Sequence, residues 1–236
     1  MSLRKLMQLV KDNQAAPKAF RVQAADDEAT IYLYDAIDPY WGVNAADFVQ
    51  ALNQITASTI HLRINSPGGD VFEARTIATA ISEHASKVIA HIDGVAASAA
   101  TYIAIAADEV RMADGAFFMI HNAWTIAYGN STELRTVADL LDKVDDSIIN
   151  DYVRKTGKDR QQIGDWMADE TWFTAQEALD NGFVDAVDQA EAKAKSMWNL
   201  SAYAKVPKAL TEKPEETIAF DREYLERRFA LLEKQI

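Results

Sequence analysis

Apolar and polar residues alternate over Thr59–Ile64, with Ile60, Leu62 and Ile64 on one face and Thr59, His61 and Arg63 on the other. A period of two predicts a strand. Just beyond it, Val71, Ala74, Ala78 and Ile81 step by three and four residues, which predicts a helix over Val71–His84. The same alternation of types runs through much of the chain. Strands are expected at Thr30–Tyr34, Lys87–Ile92, Glu109–Met112, Phe117–His121 and Phe183–Val187. Helices are expected at Asn44–Ile55, with Asn44 as N-cap, at Ser98–Ala107, at Ser131–Lys155, at Arg160–Met167 and from Thr174. This rhythm predicts an α/β fold with parallel pairing and right-handed crossovers. Ligands in such folds bind at the carboxyl ends of the strands.

The helix over Ser131–Lys155 carries Leu134, Val137, Leu141, Val144 and Ile148 at alternating three- and four-residue steps. That stripe is a helix–helix seam. It serves packing on its own domain or contact with another subunit, and the spacing leaves both open. Gly157 is placed to end the helix as its C-cap. Residues 1–27 form an N-terminal arm with a short helix at Leu3–Val10, residues 28–188 the main domain, and residues 189–236 a C-terminal tail of linker and amphipathic helix. In that last helix, Asp221–Ile236, one stripe holds Leu225, Phe229, Leu232 and Ile236.

Composition narrows the function. The 236 residues are 49% hydrophobic and carry a formal net charge of −12, so a sizeable core is available and nucleic acid is an unsuitable partner. The chain has no cysteine, which removes disulfides, thiol nucleophiles and thiolate metal sites and suits a reducing cytoplasm. Met1–Val10 is interrupted by Lys5 and Gln8 and does not read as a secretory leader, and no apolar run approaches the ~18 residues of a membrane span. No Gly-x4-Gly-Lys-Ser/Thr segment is present, so any ATP dependence has to come from a partner.

Two strand-to-helix segments carry the candidate chemistry. Asn65-Ser66-Pro67-Gly68-Gly69-Asp70 combines a rigid proline with two glycines that leave their amides uncovered. Alone it is also an ordinary turn, with Asp70 capping the next helix. Gly94-Val95-Ala96-Ala97-Ser98-Ala99-Ala100-Thr101 presents one serine among small residues at the start of a helix. Alone, Ser98 is also an ordinary N-cap. An oxyanion pocket and a nucleophile are two of the parts that acyl transfer needs, and His121, at the end of an apolar strand, is the candidate base.

The runs Ile64-Asn65-Ser66-Pro67-Gly68-Gly69, Gly94-x-Ala96-Ala97-Ser98-Ala99, Met119-Ile120-His121, and Phe173-Thr174-Ala175-Gln176-Glu177-Ala178 with Gly182-Phe183-Val184-Asp185 resemble the Clp protease proteolytic subunit family. Within it the chain looks most similar to the Clp-like head maturation proteases of phages and prophages. The resemblance covers about residues 28–188 and implies the Clp/crotonase fold of stacked ββα units, with a long protruding helix for oligomer contacts. It implies a serine endopeptidase with Ser98 as nucleophile, His121 as general base, and the backbone N–H groups of Gly69 and Ala99 as oxyanion hole. Register favours Glu170 as the third triad member, with Asp169 as the alternative, where the family usually has aspartate. No cofactor or metal is implied. The implied partners are polypeptide substrates, further copies in a homo-oligomeric ring, and an AAA+ unfoldase or phage capsid and scaffold proteins. Asn122–Gly129 departs from the glycine-rich strand of housekeeping subunits, which weakens the case for a double ring. Two other functions stay in view: a crotonase-type acyl-CoA enzyme, and a non-catalytic ring-forming assembly module in which the tail contacts partners.

Overall fold

The computed structural model describes residues 12–13, 19–24, 27–189 and 198–211. The expected helices at Leu3–Val10 and Asp221–Ile236 lie outside these residues. Strand β1 (Ala19–Ala24) pairs antiparallel with β2 (Glu28–Tyr34), so the first strand of the sheet falls inside the segment expected to be an arm. Next come helix α1 (Ala45–Asn53), β3 (Thr59–Ser66), helix α2 (Val71–Glu83), β4 (Lys87–Ala97) and helix α3 (Ala99–Ile105). The rest of the domain is β5 (Glu109–Ala113), β6 (Phe117–Ile120), α4 (Ser131–Thr156), α5 (Arg160–Ala168), β7 (Thr171–Thr174), α6 (Ala175–Asp180) and β8 (Ala186–Asp188). A short helix, α7 (Lys208–Thr211), lies in the tail.

The strand order is β1-β2-β3-β4-β5-β8, with β6 against β4 and β7 against β6. Pairing is parallel from β2 through β8, and antiparallel at β1–β2 and β6–β7. Strand β4 divides its partners. Its first half, Ile89–Ile92, pairs with β5, and its second half, Val95–Ala97, pairs with β6. The alternation of Lys87–Ile92 predicted only that first half. Val95, Ala96 and Ala97 are all buried, so no alternation marks their continuation as strand.

Burial follows the pleat: Ile60, Leu62 and Ile64 of β3 are buried, as are Val88, Ala90 and Ile92 of β4. Alternate residues share a face, so a strand with one apolar face needs helices on it to exclude water. Helices α1 and α2 supply Phe48, Leu52, Ile77 and Ile81 to this core. Each helix begins on a residue chosen for the purpose. Asn44 accepts from Asp47 N at 2.8 Å, and Asp70 accepts from Phe72 N and Glu73 N at 2.8 and 2.9 Å.

Helix α4 begins in a capping box at Asn130 and ends on Gly157, whose φ of 66° requires a residue at ease in the left-handed region. Its second half packs on the domain through Ile148 and Tyr152, while Leu134 and Leu140 in the first half are exposed. Packing on the domain thus accounts for the C-terminal part of the stripe. Among the described residues no helix is long and apolar enough to cross a membrane.

Residues 198–211 return to the domain instead of leading away from it. Trp198, Leu200 and Leu210 are buried in a second apolar cluster with Val95, Ala97 and Met119 of β4 and β6. Burying a side chain of this size is worth about 1.5–3 kcal/mol. Val206 also packs here, so this stretch of the tail, expected to be linker, belongs to the packed domain.

Candidate active site

The site forms where β3 and β4 end side by side. Ser66 pairs with Ala96 across a register shift between Ile64 and Ser66, and that shift turns Pro67–Gly69 toward the end of β4. Gly68 has φ +87°. A Cβ there would lie 2.4 Å from the Ala97 carbonyl oxygen, 2.8 Å from Ser98 Cβ and 3.0 Å from Ala99 N. Only glycine lets the two segments come this close. Gly69 N and Ala99 N, the two expected oxyanion donors, bond to no acceptor among the described residues.

Ser98 alone joins β4 to α3. It adopts φ 54° and ψ −127°, its N–H donates to Met119 O at 2.9 Å, and its side chain makes no capping bond. A non-glycine residue in this region costs on the order of 1–3 kcal/mol. An N-cap serine would sit in extended backbone and bond the helix amides, so Ser98 is no ordinary cap. Its hydroxyl instead meets His121 Nε2 at 2.8 Å. The turn is held from below: Thr101 Oγ1 donates to Ser98 O at 2.5 Å and lies 2.6 Å from the Tyr152 hydroxyl of α4.

His121 follows β6, and the next two residues are also fixed. Asn122 N donates to Met167 O at 3.2 Å and Ala123 N to the Asp145 carboxylate at 2.7 Å. Burial pushes the imidazole below its ordinary 6.5, and the negative charge of Glu170 opposes part of that shift. The ring is therefore neutral at pH 7 and able to accept a proton.

Glu170 has φ 51°, a second non-glycine residue in the left-handed region. Its carboxylate accepts from Ala204 N at 2.8 Å, Lys205 N at 2.6 Å and Trp172 Nε1 at 3.3 Å. No carboxylate among the described residues hydrogen-bonds His121 Nδ1. Asp169, the alternative acid, is 78% exposed and pairs with Lys205 Nζ at 3.2 Å.

One residue at the site was not expected there. Tyr203 sets its ring edge-on against His121, with centroids 5.4 Å apart and planes at 88°, and its hydroxyl donates to Pro67 O. Burial pushes this phenol up, and the nearby Ser98 hydroxyl counters part of the effect. Trp198 and Tyr203, aromatic residues inside a tail otherwise rich in charge and alanine, were the available sign that 198–211 packs on something. Ser98 and His121 open onto a cavity of about 360 Å³ with Ile37, Trp41, Val71 and Trp124 in its wall. Among the described residues no group of His, Asp or Glu is arranged to hold a metal ion.

This geometry joins a strained serine, a neutral histidine and two uncommitted amides, as acyl-transfer chemistry requires. Comparison with known proteins agrees. Residues 15–191 match the Clp protease family, "Clp protease". The chain is 30% identical over 188 residues to the ATP-dependent Clp protease proteolytic subunit 1 of Protochlamydia amoebophila, covering 75% of this chain and 90% of that one. It is 29% identical over 133 residues to the subunit of the same name from Leifsonia xyli subsp. xyli, covering 56% and 68%. Among solved structures, a ClpP1 mutant from Listeria monocytogenes superposes with a TM-score of 0.61 at 22% identity, over 78% of this chain and 96% of that one. The chain belongs to the Clp protease family, a family of serine-type peptidases, and has its mixed α/β fold.

Proposed function

We propose that this chain is a serine endopeptidase that cleaves polypeptides through an acyl-enzyme at Ser98. The observation that carries this is the 2.8 Å contact between Ser98 Oγ and His121 Nε2 on a strained strand-to-helix turn. Ser98 Oγ attacks the substrate carbonyl carbon as His121 Nε2 takes its proton. The amides of Gly69 and Ala99 hold the oxyanion. The C–N bond then breaks, and His121 returns the proton to the leaving amine. Water attacks the acyl-enzyme with His121 as base, and the proton passes back to Ser98 as the new carboxylate leaves. Glu170 supplies the negative charge that supports the imidazolium.

The apolar wall of the adjoining cavity suits an apolar substrate side chain. The exposed first half of α4 supports self-assembly into a ring. A Clp ATPase is the partner class suggested by the relatives' printed names. Capsid or scaffold chains, in a cytoplasmic setting, are the first substrates to try, on the resemblance of the site motifs to phage head maturation proteases. Incubation with an unfolded polypeptide, with products identified by mass, tests the proposal. Fragments that disappear in Ser98→Ala support it, and cleavage that survives Ser98→Ala contradicts it. An inert, well-folded ring points to an assembly module, and retention on immobilised coenzyme A to an acyl-CoA enzyme.

A further inference from the structure

We infer that residues 198–211 are a tethered inhibitor of the chain's own site, a strap that holds His121 and Glu170 and must let go of them before Ser98 reaches full reactivity. This rests on the peptidase function proposed above. Two of the groups that peptide hydrolysis would use, His121 and Glu170, and the loop that carries Gly69 are engaged by this one segment. The Tyr203 ring stands edge-on to the His121 imidazole, 5.4 Å between centroids. Its hydroxyl takes the carbonyl of Pro67, next to the glycines that approach Ser98. The amides of Ala204 and Lys205 take the Glu170 carboxylate at 2.8 and 2.6 Å. A carboxylate satisfied by two backbone amides is drawn away from any role in orienting the imidazole.

The strap is anchored on both sides of these contacts. Trp198, Leu200 and Leu210 are buried, and Trp198 Nε1 donates to Asn65 O at 3.2 Å. Asn13 and Asn199 exchange two hydrogen bonds, Asn13 Nδ2 to Asn199 O at 3.2 Å and Asn199 N to Asn13 Oδ1 at 2.7 Å. The N-terminal segment thus fastens the C-terminal one in place. The whole strap lies beyond residue 191, outside the family match, so it is an addition to the peptidase domain.

The segment is bound as an inhibitor and not as a substrate. A peptide substrate lies extended, with its backbone free to pair along the site. Residues 201–205 instead turn and bend, and Tyr203 N donates back to Leu200 O at 3.0 Å. No backbone amide of the strap is bonded to Gly68 or Gly69 among the described residues. The segment forms part of the wall of the cavity onto which Ser98 and His121 open, without presenting a scissile bond to Ser98.

The test is the rate at which a fluorophosphonate labels Ser98 in the full chain, in Tyr203→Ala and in Tyr203→Phe, with adducts located by peptide mass and folding checked by circular dichroism. Tyr203→Ala removes the ring and the hydroxyl. Tyr203→Phe removes the hydroxyl alone and keeps the packing, so it serves if the alanine variant folds poorly. The strap predicts labelling at least tenfold faster in Tyr203→Ala, which corresponds to ~1.4 kcal/mol less favourable closure. Tyr203→Phe falls between the two, and the parent's rate does not depend on protein concentration. Equal labelling of all three overturns the strap and leaves the peptidase intact. Slower labelling of a well-folded Tyr203→Ala also overturns it, because Tyr203 would then assist the site. Release of a fragment cut within 198–211 during incubation overturns it in favour of self-processing. Failure of all three folded chains to label overturns the peptidase and, with no reactive serine to restrain, the inhibition too.

Discussion

Removing the Thr101 hydroxyl tests how the nucleophile turn is held. Thr101 and Tyr152 are 0% and 3% exposed, and their hydroxyls lie 2.6 Å apart. Thr101 donates to Ser98 O, so Tyr152 is the donor in the pair. Burial pushes the Tyr152 phenol up, which keeps it protonated for that role. Thr101→Val keeps the shape but strands the Tyr152 hydroxyl and takes a bond from Ser98 O. A stranded buried hydroxyl costs about 1–3 kcal/mol and a lost neutral hydrogen bond about 1, so the variant should lose roughly 2–4 kcal/mol. Tyr152→Phe strands nothing, because Thr101 still donates to Ser98 O, and should lose about 0.5–1.5 kcal/mol. The double variant removes both partners and should be more stable than Thr101→Val alone. Urea unfolding of the four chains measures this as a double-mutant cycle. Additive losses, or a Thr101→Val loss below about 0.5 kcal/mol, would refute the network. Labelling of Ser98 in Thr101→Val should also slow, since the Ser98 carbonyl then keeps only the Thr101 amide at 3.0 Å.

Other consequences follow from the same geometry. The labelling rate should fall as pH drops and His121 gains a proton, with a midpoint below 6.5, because burial disfavours the charged ring. Glu170→Gln removes the charge that opposes this shift, so the midpoint should move further down in a pH–rate profile and the rate should drop. Asp169→Asn should change the rate less than about twofold, because that carboxylate is exposed on Lys205 and an exposed pair is worth ~0–1 kcal/mol. Gly68→Ala should abolish labelling and lower the melting temperature: its Cβ meets the Ala97 carbonyl at 2.4 Å, and the left-handed backbone adds about 1–2 kcal/mol.

Much of this site was legible because its parts lie on periodic elements. The alternation of Ile60, Leu62 and Ile64 and the steps from Val71 to Ile81 place Pro67–Gly69 between a strand and a helix. Ser98 and His121 stood out by the same logic, as polar residues at the ends of apolar runs. What periodicity does not carry stayed hidden. Gly94–Ala97 is buried on both faces and shows no alternation, so the second half of β4 looked like loop. The partner of Glu170 is set by a contact 34 residues away, at Ala204, which no local pattern encodes. Tyr203 meets Pro67 across 136 residues, and its neighbours Ala202 and Ala204 gave its position no apolar period. The arm was misjudged at Ala19–Ala24 because an edge strand has only one pairing neighbour and needs little apolar character.

The central claim is that Ser98 is activated by His121, and the mass of the intact chain after exhaustive fluorophosphonate treatment tests it most directly. One adduct is predicted, mapped to Ser98, absent from Ser98→Ala and formed ~10²–10⁴ times more slowly in His121→Ala. An adduct on any other residue, or labelling of Ser98 at the parent's rate in a folded His121→Ala, would contradict it.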